Sequence, residues 1–323
     1  KNTQWFNKFH VVSANPVKRI IQEMTSVKEF ITENNIDLVY TYFGFGFFTN
    51  DVKQIIGSAD SNLYFPEIEF WHSERPLEKI KRYIVDKYRI YGLQLAAGII
   101  FENKAMFDRA SELYQIKSKR LILPSIDEPL VKQSLSVELK GETFKILMLC
   151  GWQRNKNILL VPELARKLKD LGLNIEIVIT VEQDDSSCSI EFFELVDKWG
   201  AYDLISCIGM VPKAQLPDLY NQIDQVNLLS LLESFSNNII EAWYFKRPLI
   251  ISDEIWSRSI CDDAVYYVPR SNIELIVQSI LELSNNEELV LSLIAKGSAA
   301  LSQFPDINER LDQELKYLES FYD

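Results

Sequence analysis

Short, β-branched apolar runs alternate along this chain with longer stretches whose apolar positions recur at helical spacing. That alternation is the pattern of βαβ units and parallel sheets. In the first part the runs read FHVVSAN (9–15), DLVYTYF (37–43), QIIGSA (54–59), AGIIFEN (97–103) and RLILPS (120–125). In the second they read FKILML (144–149), IEIVITV (175–181), LISCIG (204–209), QVNLL (225–229), PLIIS (248–252) and AVYYV (264–268). In the helical stretch LVPELARKLKDLG, Pro162 stands in the first turn and Gly172 is placed to cap the end. Three more helical patterns follow the last strand, at about 272–283, 286–302 and 306–322. The segment SIDEPLVKQSLSVELKGET (125–143) has no strong period and separates the two series. The expected architecture is α/β, two Rossmann-like doubly wound domains facing across a cleft. Residues 1–130 form the first domain, 131–143 a linker, 144–305 the second domain, and 306–323 a closing helix free to cross back to the first.

Composition narrows the class. At 323 residues and 47% hydrophobic, the chain can bury more than one core. No apolar run approaches the roughly 18 to 20 residues of a membrane span, and KNTQWFNKFH has no signal-peptide core. A cytoplasmic protein with reduced thiols is expected, since Cys150, Cys188, Cys207 and Cys261 show no paired spacing. With only His10 and His72 beside them, a zinc site is not expected. The net charge of −12 argues against nucleic acid as a partner. Its distribution is uneven: residues 1–142 carry 19 Lys and Arg against 18 Asp and Glu, and the remainder 15 against 28. In RPLEKIKRYIVDKYR, Arg75, Lys79, Lys81, Arg82, Lys87 and Arg89 decorate a helical pattern. This is either a solvated face or one that meets an anionic acceptor or lipid headgroups.

Candidate chemistry gathers at predicted strand ends of the second domain. No GxGxxG follows a strand and no GxxxxGK[ST] occurs, and Asp184-Asp185 reads as a solvated turn. In LLESFSNNIIEAW, Glu233 and Glu241 would share one face of a continuous helix. The preceding DQVNLLS is strand-like, however, and SFSNN favours caps over helix interiors. The segment therefore reads as strand, polar loop with Glu233, then a helix opening near Asn237 or Asn238 with Glu241 in its first turn or so. Upstream, CGWQRNKN places Arg154 and Lys156 at a strand end, where cations can hold phosphate. Amides at the helix start would add partial positive charge.

With these residues the sequence resembles a GT-B glycosyltransferase of the large retaining family 4. ESFSNNIIEAW meets the E-x7-E pattern, and GWQRNKN, IGMVPKAQLPDLYNQID and KRPLIISDEIWSRSICDDAVYYV are similar to its flanking segments in order. NIDLVYTYFGFG, AAGIIFENKAMFDRASELYQI and KRLILPSID resemble the acceptor-side strands more loosely. The resemblance implies a retaining transfer from a nucleotide-diphosphate sugar to a glycan, lipid-linked or small-molecule hydroxyl acceptor, as in bacterial-type surface glycan or glycoconjugate synthesis. It implies no cofactor and no metal. By the same resemblance Lys156 and Arg154 hold the diphosphate, and Glu233 is the catalytic carboxylate at the donor sugar. The amides of Ser236, Asn237 and Asn238 meet that sugar, Glu241 meets the ribose, and the backbone of Gly209, Met210 and Val211 meets the base. Such enzymes begin with a βα unit that has no counterpart before FHVVSAN; Gly44 and Gly46 are read as turn glycines instead. Asp60, Glu67 and Glu102, near first-domain strand ends, are candidates to touch an acceptor. Peripheral membrane contact would run through the first domain, at the inner face of the membrane. The alternative from another class is a non-catalytic two-domain protein that binds a nucleotide or sugar in the cleft.

Overall fold

The computed structural model describes residues 11–13, 18, 21–23, 25–44, 46, 52–71, 75–126 and 143–322. The first domain runs α1 (Ser26–Glu33), β1 (Leu38–Thr41), β2 (Lys53–Ser58), α2 (Pro76–Leu95), β3 (Gly98–Phe101), α3 (Lys104–Leu113) and β4 (Lys119–Leu121). The second opens with β5 (Phe144–Met148), α4 (Val161–Asp170), β6 (Ile175–Ile179), α5 (Ser187–Trp199), β7 (Ile205–Cys207) and α6 (Leu216–Asn221). It continues through β8 (Gln225–Leu228), α7 (Asn237–Tyr244), β9 (Leu249–Ser252), α8 (Ile255–Cys261) and β10 (Tyr266–Val268). Helices α9 (Ile273–Asn285), α10 (Glu287–Leu301) and α11 (Ile307–Glu319) close the chain.

The strands form a four-stranded sheet ordered β1-β2-β3-β4 and a six-stranded sheet ordered β10-β9-β8-β5-β6-β7. Every pairing in both is parallel, so the connecting helices must cover the faces. The expected α/β architecture is present. Along β5, Ile146 and Met148 turn to a core shared with α4, α5 and α9, while Leu147 turns to one shared with α6, α7 and α8. Helix α4 shows how sequence sets this. Pro162 lies in its first turn, Val161, Leu164, Ala165 and Leu168 are buried on one stripe, and Gly172 ends it at φ +79°.

One expected strand fails. Val11 to Ser13, the described part of FHVVSAN, are irregular. Val11 is 85% exposed and the Ser13 N–H donates to Gln22 Oε1 at 2.7 Å rather than to a strand, so these three residues are not held in a ladder. The linker expected at 131–143 lies outside the described residues apart from Thr143. His10 and His72 also lie outside them.

The two sheets share an apolar core: Ile56, Phe101 and Met106 of the first domain pack in one cluster with Trp256, Cys261 and Ala264 of the second. A polar pin reinforces it. Asn103 caps α3 by accepting from the N–H groups of Ala105 and Met106, and its amide donates to the Trp256 carbonyl at 3.1 Å. Ser259 Oγ donates to the same Asn103 oxygen at 2.9 Å. Finally α11, started by a capping box at Asp306 and Glu309, returns to the first sheet. There the hydroxyls of Tyr317 and Ser118 bond at 2.9 Å. Among the described residues no helix is long and apolar enough to cross a membrane.

Candidate active site

Lys156 and Glu233 meet because two strand-end loops are bonded to each other. After β5, residues Arg154–Lys156 make one 3-10 turn, and Asn157 takes a left-handed conformation at φ 57°. The loop after β8 lies beside it: the Leu231 N–H donates to the Asn155 carbonyl at 2.7 Å, and Asn155 Nδ2 donates to the Leu232 carbonyl at 3.0 Å. From a third side Arg270 donates to the Leu231 carbonyl, and Asn157 Nδ2 donates to the Arg270 carbonyl at 2.9 Å. This web fixes the register of the loops, and Lys156 Nζ donates to Glu233 Oε1 at 2.6 Å. Glu233 is only 8% exposed, and Lys156 is the cation that faces it there.

Helix α7 opens at Asn237, as the capping residues predict. Ser236 adopts an extended conformation there and makes no side-chain cap bond; its carbonyl accepts from the Ile239 N–H at 3.1 Å, so its hydroxyl caps neither the Asn237 nor the Asn238 N–H. Asn238 Nδ2 instead donates to the Leu149 carbonyl at 2.7 Å and ties the helix start to the end of β5. Glu241 lies one turn further, and Tyr220 donates to it at 3.0 Å. Burial first, and then Glu241 itself, push the Tyr220 hydroxyl well above its ordinary pKa and keep it a donor. The two glutamates therefore occupy separate settings, one on a loop against a lysine, the other on a helix against a tyrosine.

Arg154 is not brought to this pair. It forms an ion pair with Glu191 of α5 at 2.8 Å. In a 3-10 turn successive side chains step by about 120°, so residues two apart diverge, and Lys156 and Arg154 leave the turn in different directions. At the end of β7, Gly209 donates its N–H to the Val181 carbonyl at 3.1 Å with φ at +75°. A Cβ there would crowd the Glu182 side chain, which can shift, and the positive φ is what favours glycine at this turn. Trp152 Nε1 donates to the Glu182 carbonyl at 2.7 Å, which links the loops after β5 and β6. Next along, Met210 is 89% exposed, while Val211 packs on the core. Burial pushes the Cys150 thiol up to about 12, against the pull of Lys156, so it stays protonated.

Across the cleft, a cavity of about 350 Å³ is bounded by Tyr42, Glu102 and Ser125 of the first domain and by Ser234, Asn237 and Glu241 of the second. Of the three acids flagged from sequence, only Glu102 lines it. Asp60 pairs with Arg89 at 3.4 Å, and Glu67 is held by Arg109. Glu102 accepts from Arg310 of α11 at 2.7 Å, and Arg310 Nε donates to Glu314 at 2.9 Å. Burial raises the Glu102 pKa, with Glu314 adding to the rise and Arg310 opposing it. Gly44 and Gly46 sit at φ 155° and 68°, and Gly44 N–H donates to the Gly57 carbonyl at 3.2 Å. Among the described residues, no group of three or more His, Cys, Asp or Glu side chains is gathered to hold a metal ion.

Sequence reasoning did not flag Asn155, Asn157 and Arg270, which build the loops by bonding backbone carbonyls. Nor did it flag Arg310 and Glu314. Their opposite charges four residues apart are visible in sequence as a helix pair, but the third member, Glu102, lies 208 residues away.

The sequence model of the glycosyl transferases group 1 family matches residues 132–299, more than half of the chain. The chain belongs to this family. It is a glycosyltransferase, and the alternative of a non-catalytic binding protein is set aside. No curated protein sequence matches it significantly. Among solved structures it resembles a sucrose-phosphate synthase from Thermosynechococcus elongatus, with a TM-score of 0.77 at 13% identity over 96% of this chain and 82% of that one. HepE from Anabaena, solved with UDP and glucose, gives 0.71 at 13% identity over 96% and 86%. A glycosyltransferase from Rickettsia africae gives 0.69 at 15% identity over 97% and 84%. At such identities these likenesses show the fold, which is GT-B. This group 1 glycosyltransferase thus carries its paired lysine and glutamate in the domain that the family model covers.

Proposed function

We propose that the protein is a retaining family 4 enzyme that moves a sugar from a nucleotide-diphosphate sugar to a hydroxyl acceptor in surface glycan or glycoconjugate synthesis. The observation that carries this reading is the Lys156–Glu233 contact at 2.6 Å, beside the Asn237 and Asn238 amides that the Ser236 side chain leaves uncapped. A diphosphate entering here draws Lys156 from Glu233 and is met by the first-turn amides of α7. Glu233, released from its lysine, faces the donor sugar, and Glu241 bonds the ribose while the Gly209–Val211 backbone borders the base. Arg154 reaches the diphosphate only by leaving Glu191, so its role is subordinate to that of Lys156.

In the transfer itself, the bond from the anomeric carbon to the diphosphate oxygen breaks, and the acceptor oxygen bonds the same carbon on the same face. The acceptor proton passes to the departing diphosphate. Positive charge from Lys156 and the amides offsets the charge developing on that group, so this reading uses no metal and no cofactor. Chelation should leave the rate unchanged.

We also infer peripheral contact with a membrane from the cytoplasmic side. In α2, Leu77, Ile80, Ile84 and Tyr91 fall on one stripe at 77%, 58%, 61% and 53% exposure, opposite the buried Leu93. Lys81 and Lys87 flank the stripe. Apolar residues between cations suit the interface of an anionic bilayer.

The deciding experiment is a thermal-shift and hydrolysis screen of the full chain against UDP-, GDP-, ADP- and TDP-sugars. One nucleotide series should raise the melting temperature and be slowly hydrolysed with retained anomeric configuration. No response to any of them sinks the reading.

A further inference from the structure

Arg270 ties together loops from four strand ends. It follows β10, and its carbonyl accepts from Asn157 Nδ2 of the loop after β5 at 2.9 Å. Its Nη1 donates to the Leu231 carbonyl, in the loop after β8, at 3.2 Å. The same nitrogen meets Glu254 Oε1, in the loop after β9, at 2.8 Å. The side chains of Arg270 and Glu254 are 30% and 20% exposed, so water screens this pair only in part. Burial raises the Glu254 pKa, Arg270 opposes that rise and Asp253 adds to it. Asp253 is itself bonded by Arg258 at 2.8 Å, so it does not compete for Arg270.

The place of this anchor gains its meaning from Lys156. In the site as it stands, Glu233 faces that lysine, and two further bonds, both through Asn155, join the Glu233 loop to the lysine's own 3-10 turn. A diphosphate that draws Lys156 away removes the first contact and pulls on the turn that makes the other two. Arg270 grips the same loop two residues before Glu233, and its own hold is Glu254 beyond β9, on the side of β8 away from the lysine turn. Leu232, between the grip and Glu233, is buried, which leaves the segment little slack.

We propose that Arg270, anchored by Glu254, is the positioning residue that keeps the Glu233 carboxylate in place while Lys156 is engaged with the diphosphate. This rests on the glycosyltransfer reading above and adds a residue to the machinery of the same site. Arg270 acts through Glu233 and not on the substrate.

The test follows hydrolysis of whichever of UDP-, GDP-, ADP- and TDP-glucose the full chain accepts, with binding of the matching nucleoside diphosphate read by calorimetry. Arg270→Met keeps the aliphatic stem and removes every donor; it should lower kcat about tenfold and change nucleotide affinity less than about twofold. Glu254→Gln should lower kcat about threefold, because a neutral amide anchors the arginine less firmly. The double variant Arg270→Met with Glu254→Gln leaves no carboxylate unpaired, so it should fold and repeat the tenfold loss even where the single arginine variant does not fold. In a Glu233→Ala background Arg270→Met should cost nothing further, since the group it positions is gone. An unchanged kcat, a parallel fall in nucleotide affinity, or the same loss with and without Glu233 overturns the assignment and makes Arg270 a structural residue. Absence of nucleotide binding by the unaltered chain overturns the functional reading instead, so the two failures are distinguishable.

Discussion

In the second domain, loops from neighbouring strand ends bond to one another: Asn155 to the segment at Leu231 and Leu232, Asn157 to Arg270, Trp152 to Glu182, Asn238 to Leu149. The first domain borders the same cleft, yet the group that orients its wall comes from elsewhere in the chain, through Arg310 of α11. The contrast teaches where preorganisation is built. The second-domain side of the cleft is fixed by neighbouring loops, whereas the first-domain side is oriented by a helix that must first dock across the sheet. The first-domain wall can thus be altered through α11 without disturbing the Lys156–Glu233 contact.

The sharpest way to break this comparison is at the second domain's loops. Glu233→Ala and Lys156→Ala should each lower the rate of transfer by on the order of 10²- to 10³-fold, with circular dichroism unchanged. Near-normal transfer by either folded variant would remove the site from the second domain. At the junction, Asn103→Ala deletes a helix cap and two bonds to the other domain, and should cost about 2 kcal/mol of stability by denaturant titration. A loss under half of that would mean the shared apolar core alone joins the domains.

On the outer face of the first domain, Lys81→Gln with Lys87→Gln should weaken binding to vesicles containing phosphatidylserine roughly thirtyfold, at about 1 kcal/mol per charge. Co-sedimentation in low and high salt reads this, and unchanged binding would reduce α2 to a solvated face. The smallest effect is expected at Glu176, whose pKa is lowered by the Ser206 hydroxyl at 2.5 Å and by Lys145 at 3.1 Å, against burial. A carboxyl with a depressed folded pKa stabilises above its unfolded value near 4.3 and loses that contribution as pH falls through the folded one. Glu176→Gln should therefore cost about 0.5 kcal/mol at pH 7 and nothing measurable near pH 3. An equal cost at both pH values would point to packing rather than charge.

Much of this was legible in sequence because it rests on local rules. Strand periodicity located all ten described strands, since parallel strands buried on both faces leave continuous apolar runs. SFSNN marked the start of α7, because those side chains favour caps. Other features depend on contacts that no local pattern encodes. Arg154 and Lys156 look equivalent in CGWQRNKN, and only the 3-10 turn separates them. FHVVSAN has the composition of a strand, but its described residues, Val11 to Ser13, are irregular, and the Ser13 N–H bonds Gln22 instead. The Glu102–Arg310 contact joins segments whose proximity exists only once α11 has returned to the first sheet.

Asn103 carries a further consequence. The same carboxamide starts a helix in one domain and holds the backbone of the other, so neither domain can lose its ordered form there without releasing the other's bonds. Cooperativity is then a property of the whole chain rather than of each half. In calorimetry the enzyme should melt in a single transition, with a van't Hoff enthalpy matching the calorimetric one. A nucleotide that binds only the second domain should raise the temperature at which the first one melts.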